Sequence, residues 1–146
     1  MKLSTSDEKI FRSTSEAETK KIGELIASYF SDGSLIAISG SLGSGKTVLA
    51  KGIAKALNIT DTIVSPSFTL IQEYEGKVPF YHYDLYRLNS IDEFEELGGE
   101  ELLNRDGITF IEWGEKIETL LPADTVRITI AIEEDGNRLI EITGVK

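Results

Sequence analysis

An eight-residue motif constrains the fold of this chain more than any other feature. Residues 40–47 match the pattern G-x-x-x-x-G-K-[ST]. A near-continuous apolar run at 35–39 precedes it, as is typical of a strand buried on both faces, and helically spaced apolar residues follow at 46–57. Glycines in such a loop let backbone N–H groups turn inward around an anion, and the helix N-terminus adds partial positive charge. The motif therefore predicts a phosphate-binding P-loop between a buried strand and a helix.

The side chains of the motif have distinct predicted roles. Lys46 can reach the outer phosphates of a nucleotide, and the Thr47 hydroxyl can ligate Mg²⁺. The residues predicted to contact the nucleotide here are Ser41, Leu42, Gly43, Ser44, Gly45, Lys46, Thr47 and Val48. A glycine-rich turn with an exposed lysine is the alternative, and the flanking strand and helix favour the P-loop.

The charge of the chain limits its direct partners. It has 15 Lys and Arg residues against 25 Asp and Glu residues, a formal net charge of −10. Such a field repels phosphodiester backbones, so we expect no autonomous, non-specific binding of nucleic acid. A phosphate ligand needs a local source of positive potential, which residues 40–47 supply.

Length and composition exclude several other classes. The 146 residues fit one domain, 1–146, and the absence of cysteine excludes disulfides, thiolate zinc sites and cysteine nucleophiles. His82 is the only histidine, which excludes a multi-histidine metal site. No apolar run approaches the roughly 20 residues of a membrane helix, and the N-terminus lacks a signal-peptide pattern. We therefore expect a cytoplasmic protein without a membrane partner.

The remaining patterns predict the fold class. Helical signals lie at residues 14–30, at 91–103 with a break at 98–99, and at 115–121. Strand signals lie at residues 68–74, 79–86, 108–113, 126–132 and 138–143. The second of these strands pairs with the first as a hairpin, and the last two form a C-terminal antiparallel hairpin. We predict an α/β fold, a P-loop NTPase-like three-layer sandwich with a mixed, partly parallel sheet.

Two acidic residues follow strand-like runs and are candidates for the metal. Asp84 follows an aromatic run and Glu112 an apolar one. A P-loop protein needs an acid at the end of a neighbouring strand to hold Mg²⁺. We assign Asp84 to the metal, and Glu112 either to the metal or to the attacking water as general base. Lys46 and Glu112 are thus the predicted catalytic residues, and a surface acid at a strand end is the alternative for each carboxylate.

Other motifs narrow the class of nucleotide-binding protein. Residues 65–69, which include Ser67, are typical of a switch segment that senses the γ-phosphate, although a plain turn is the alternative. Asn104 and Asp106 have the wrong spacing for a guanine-reading Asn-Lys-x-Asp motif. The glycines also lack the order of a dinucleotide-binding fingerprint. Three function classes remain consistent with these motifs: an ATPase, a small-molecule kinase and a nucleotide-sensing binding module.

Four segments taken together resemble the bacterial TsaE (YjeE) family, small ATPases of tRNA threonylcarbamoyladenosine biosynthesis. These segments are residues 40–47, 65–70, 81–87 and 111–113. They occur in the order and spacing of the family, and the resemblance covers roughly residues 10–143. Ser67 stands where the family commonly has threonine, and its hydroxyl is retained.

The resemblance implies an activity and a set of partners. The protein would bind ATP with Mg²⁺ and hydrolyse it weakly alone. It would associate with the threonylcarbamoyl-transferase subunit and that subunit's non-catalytic paralogue, meeting tRNA only indirectly through the complex. By motif matching, Lys46 and Thr47 would bind phosphate and Mg²⁺, and Asp84 would bind the metal. Glu112 and Trp113 would form the second half of the nucleotide site.

Overall fold

The structure is a computed structural model that describes residues 8–64, 70–103 and 105–145. Within these residues, seven strands form one sheet: β1 (Lys9–Ser13), β2 (Leu35–Gly40), β3 (Ile71–Tyr74), β4 (Phe80–Asp84), β5 (Ile108–Glu112), β6 (Val126–Ile132) and β7 (Arg138–Thr143). The α-helices are α1 (Glu16–Ile26), α2 (Lys46–Ala56), α3 (Ile91–Glu96) and α4 (Gly99–Leu102). Two 3₁₀ segments, Ala27–Tyr29 and Gly114–Leu120, complete the regular structure.

The sheet has a parallel centre and antiparallel edges. Its strand order is β1-β7-β6-β2-β5-β4-β3. The four central strands, β6, β2, β5 and β4, pair in parallel, whereas β1–β7, β6–β7 and β3–β4 pair antiparallel. The predicted mixed sheet and both predicted hairpins are therefore confirmed.

Apolar residues of the sheet point into a separate core on each face. Ile36 and Ile38 of β2 pack in the same cluster as Leu49 and Ile53 of α2. On the opposite face, a second cluster joins the sheet to α3 and to the 3₁₀ segment Gly114–Leu120. A strand buried on both faces explains the continuous apolar run of β2. The predicted three-layer arrangement is confirmed.

Helix α1 packs against α2 at two glycines. A Cβ placed on Gly52 would lie 2.9 Å from the Cα of Gly23, so any larger side chain would separate the helices. The N-terminus of α1 is capped by Ser15, whose Oγ accepts from the N–H of Glu18 at 3.1 Å. Serine is among the residues that most often cap a helix in this way. The two helices therefore pack closely, and near their starts Thr19 of α1 lies beside Gly45, the residue before α2.

Some boundaries differ from the sequence predictions. Strand β1 was not predicted, because Ile10 and Phe11 do not alternate with polar residues and the strand depends on pairing with β7. Helix α1 ends at Ile26 and gives way to a 3₁₀ turn, whereas one helix over 14–30 was predicted. No helix in the described part of the chain is both long and apolar enough to cross a bilayer.

Candidate nucleotide-binding site

The carboxyl ends of three parallel strands meet at the edge of the sheet where α2 begins. Asp84, the last residue of β4, is the register partner of Glu112, the last residue of β5. Glu112 is in turn the partner of Ile38 on β2. The sequence placed both acids at strand ends, and the strand order brings them side by side. In open α/β sheets, ligands bind at this carboxyl edge.

The glycine-rich loop, residues 40–45, connects β2 to α2 in a geometry that needs glycine. A Cβ on Gly40 would lie 2.7 Å from the carbonyl oxygen of Ile130, so only glycine allows this close approach of β6. Gly45 adopts a φ of +111° immediately before the helix. The Ser44 Oγ is buried and has no hydrogen-bond partner within the described residues. A buried, unpaired hydroxyl inside this loop fits an anion.

Lys46 is folded back onto the glycine-rich loop. The residue is only 6% exposed, and its Nζ donates to the carbonyl oxygens of Gly40 (2.6 Å) and Ser41 (3.0 Å). Burial lowers the pKa of the Lys46 ammonium, and the carboxylates of Glu112 and Glu115 oppose that shift. Two backbone carbonyl oxygens thus hold the ammonium at the loop, and phosphate oxygens could take their place as hydrogen-bond acceptors.

The indole of Trp113 lies against the Lys46 ammonium. The Nζ of Lys46 lies 4.4 Å from the centroid of the indole ring, within the range of a cation–π contact. Trp113 has a left-handed φ of +64°, and its N–H still donates to the carbonyl of Ile38 at 3.1 Å. Its ring also lies 5.2 Å from that of Tyr86. The indole therefore forms one wall of the site.

The two predicted acids are almost fully buried at the floor of the site. Glu112 is 4% exposed, and its Oε2 accepts from the Thr47 hydroxyl at 3.1 Å. The Nε2 of His82 lies 2.5 Å from the same oxygen. The Oδ1 of Asp84 accepts from the N–H of Tyr86 at 3.0 Å. A hydroxyl and two carboxylates lie together here, the hard oxygen donors that Mg²⁺ prefers.

Sequence reasoning missed two contributors to this site. Arg138, at the start of β7, donates from Nε to the carbonyl of Ser44 (3.0 Å) and from Nη2 to that of Gly43 (3.2 Å). It is 94 residues from Ser44, and no local pattern indicates the contact. The second contributor is His82, whose hydrogen bond to Glu112 no pattern in the sequence indicates.

These groups surround a cavity of about 620 Å³, within the usual range for small-molecule sites. Its lining includes the predicted residues Leu42, Gly43, Ser44, Gly45, Lys46, Thr47, Val48, Asp84, Glu112 and Trp113. Ser41 enters the site through its carbonyl, and Ser67 with the predicted switch at 65–69 lies outside the described residues. The start of α1 also lines the cavity, which the sequence did not indicate. Volume and donor set fit a nucleoside triphosphate with Mg²⁺, and these ligands stay predictions.

Comparisons with known proteins agree on one family. The family model described as "Threonylcarbamoyl adenosine biosynthesis protein TsaE" matches residues 13–140. The TsaE protein of Treponema pallidum is 38% identical over 130 residues, which are 89% of this chain and 96% of that protein. The Bacillus subtilis TsaE protein is 40% identical over 136 residues, 92% of this chain and 85% of its own length.

The fold agrees with a solved structure as well. The crystal structure of Bacillus subtilis YdiB superimposes with a TM-score of 0.77 at 35% identity, over 95% of this chain and 86% of that one. The matched relatives are named as tRNA threonylcarbamoyladenosine biosynthesis proteins, which agrees with the resemblance drawn from the motifs. On this sequence and structural similarity, the chain belongs to the TsaE family.

Proposed function

We propose that this protein binds ATP and Mg²⁺ in the cavity and hydrolyses the ATP as a subunit of the machinery that makes threonylcarbamoyladenosine in tRNA. The observation that carries the proposal is the convergence of Lys46, Thr47, Asp84 and Glu112 on one cavity at the carboxyl edge of the sheet. Family membership and the names of the relatives support the pathway.

Each of these residues has a role in the proposed reaction. The backbone N–H groups of the glycine-rich loop and the Lys46 ammonium bind the phosphates. Thr47 and Asp84 hold Mg²⁺, which neutralises charge on the phosphate oxygens when it is bound. Glu112 orients the attacking water and accepts its proton, or it completes the metal site. The Trp113 indole shields the Lys46 side of the cavity from solvent.

The proposed partners are the threonylcarbamoyl-transferase subunit and its non-catalytic paralogue, in the cytoplasm. The net charge of −10 opposes direct binding of tRNA, so the protein would meet tRNA through that complex. Hydrolysis would drive or reset the transferase cycle, and this chain would not itself transfer the threonylcarbamoyl group.

The test is an ATPase assay with and without the transferase pair. We expect slow phosphate release from the protein alone and faster release when the pair is added. When tRNA and a threonylcarbamoyl donor are also supplied, the complex should form threonylcarbamoyladenosine in the tRNA. No stimulation by the pair would contradict the proposal. Phosphate transferred to a small acceptor would instead identify a kinase. ATP binding without turnover in the complex would identify a nucleotide-sensing module.

A further inference from the structure

The one histidine of the chain lies buried directly behind the site. His82 stands in the middle of β4 with no exposed surface. Its Nε2 contacts Glu112 Oε2 at 2.5 Å, and its Nδ1 is buried without a hydrogen-bond partner in the described ranges. Among the described residues, the polar contact of the ring is therefore made by one edge, with a residue of the proposed active site.

The surroundings of His82 would accept a purely apolar ring. The rings of Phe110 and Phe80 lie 5.6 and 6.3 Å away, centroid to centroid. Burying an imidazole there costs free energy of desolvation, which a hydrogen bond must offset. Packing alone does not account for a histidine at this position, whereas its contact with Glu112 does.

The hydrogen-bond network assigns the proton on the imidazole. With the proton on Nε2, the ring donates to the Glu112 carboxylate and leaves only a lone pair unpaired at Nδ1. The other neutral tautomer would bury an unpaired N–H and set a ring lone pair against a carboxylate oxygen. We therefore assign the Nε2–H form from the network.

This contact determines which oxygen of Glu112 is available. Oε2 accepts from both His82 and Thr47, and no hydrogen bond from the described residues reaches Oε1. In the proposed function the Thr47 hydroxyl serves Mg²⁺, so His82 is the contact that remains on Oε2. A carboxylate held at one oxygen presents the other in a defined direction, which general-base or metal chemistry requires.

We propose that His82 is a positioning residue that anchors Oε2 of Glu112, so that Oε1 meets the attacking water or the metal. This inference rests on the proposed ATPase function and adds a residue to it. His82 is fully buried and does not line the cavity, so it acts through Glu112.

Two substitutions separate positioning from packing. In His82→Phe the ring packs beside Phe80 and Phe110 but the hydrogen bond is lost. We expect partner-stimulated turnover to fall about 10- to 100-fold, which is typical when a residue that hydrogen-bonds to a functional side chain and fixes its orientation is removed. ATP affinity should stay near that of the unmodified protein. The melting temperature should fall only modestly, because Glu112 loses one buried hydrogen bond while an apolar ring replaces the desolvated imidazole. His82→Gln can place an N–H close to the position of Nε2 and should recover most of the turnover.

Phe80→Leu is the matched control, because it disturbs the same core without touching Glu112. It should lower the melting temperature while the turnover of the folded protein is retained. Unchanged turnover in His82→Phe would overturn the positioning role. So would a loss of turnover in Phe80→Leu as large as that in His82→Phe.

A double-mutant cycle tests whether His82 acts through Glu112. Once Glu112→Gln has removed the carboxylate, adding His82→Phe should reduce turnover no further. Multiplicative losses from the two substitutions would show that His82 acts by another route and would overturn the proposal.

A spectroscopic measurement is independent of activity. Because the chain has one histidine, its imidazole nitrogen signals are unambiguous in NMR spectra of ¹⁵N-labelled protein. We expect Nε2 to carry a proton and Nδ1 to carry none. The chemical shift of the Nε2–H group should change in Glu112→Gln. A protonated Nδ1 with an unprotonated Nε2 would overturn the assignment.

The failure of this inference can be distinguished from the failure of the proposed function. Absence of ATP hydrolysis in every condition would refute the proposed function as well. An active protein whose His82→Phe variant is equally active would refute the positioning role alone.

Discussion

Arg138 lines the cavity and anchors the glycine-rich loop, and its removal should weaken ATP binding. The guanidinium donates to the carbonyls of Ser44 and Gly43 at 3.0 and 3.2 Å. The C=O and N–H of a trans peptide point in opposite directions, so fixing the Ser44 carbonyl also fixes the N–H of Gly45. In Arg138→Met the aliphatic stem remains and both hydrogen bonds to the loop are lost, as is the one that Nη1 donates to the carbonyl of Gly136 at 2.5 Å.

The magnitude follows from these two contacts. Hydrogen bonds to a charged group contribute about 1.5–3 kcal/mol each when well buried. Arg138 is half-buried, so we discount the pair to about 1–2 kcal/mol in total. ATP binding must then supply the free energy that orders the loop, which the Arg138 hydrogen bonds no longer provide. The Kd for ATP should therefore rise about 5- to 30-fold.

Isothermal titration calorimetry with ATP and Mg²⁺ measures this change directly. Arg127→Met is the control, because Arg127 pairs with Glu118 on the surface and does not line the cavity. Its Kd should equal that of the unmodified protein. Arg138→Lys should recover only part of the affinity, since one ammonium cannot reproduce the forked geometry. A Kd for Arg138→Met within about twofold of the unmodified value would refute the reasoning, since that is under 0.5 kcal/mol.

Four further outcomes test the site and the fold. Lys46→Ala should abolish ATP binding in calorimetry, because it removes the cation that faces the phosphates. Glu112→Ala should still bind ATP but lose turnover about 100-fold or more in the stimulated assay. ATP should change the fluorescence of Trp113, the only tryptophan, as the Lys46 ammonium moves from the ring to phosphate. Gly52→Ala should lower the free energy of unfolding in urea by about 1–3 kcal/mol, because its Cβ would press on Gly23.

Each of these outcomes has a result that would contradict it. Undiminished ATP affinity in Lys46→Ala, or full turnover in Glu112→Ala, would refute the assigned roles. A Trp113 signal that ATP leaves unchanged would show that the ammonium stays under the indole. For Gly52, the exposed neighbour Lys51 provides the control, and Lys51→Ala should leave stability nearly unchanged. Equal stability of the two variants would contradict the close packing of α1 on α2.

The local features of the site were readable from the chain itself. The glycine-rich loop, the buried strand before it and the helix after it follow from adjacent residues, because glycine tolerance and apolar periodicity act over a few positions. The placement of Asp84 and Glu112 at strand ends follows from the same short-range patterns. That parallel strands end at one edge was enough to expect both acids near the loop.

The tertiary structure decided which side chains meet. The contact of His82 with Glu112 joins residues 30 apart, and that of Arg138 with the glycine-rich loop joins residues 94 apart. Both depend on strand order and register: β4 lies beside β5, and β7 begins beside the loop. Strand β1 likewise exists through its pairing with β7. Periodicity and turn chemistry specify individual elements, but pairing between distant strands is selected by the packing of the whole sheet, so local patterns alone did not reveal these contacts.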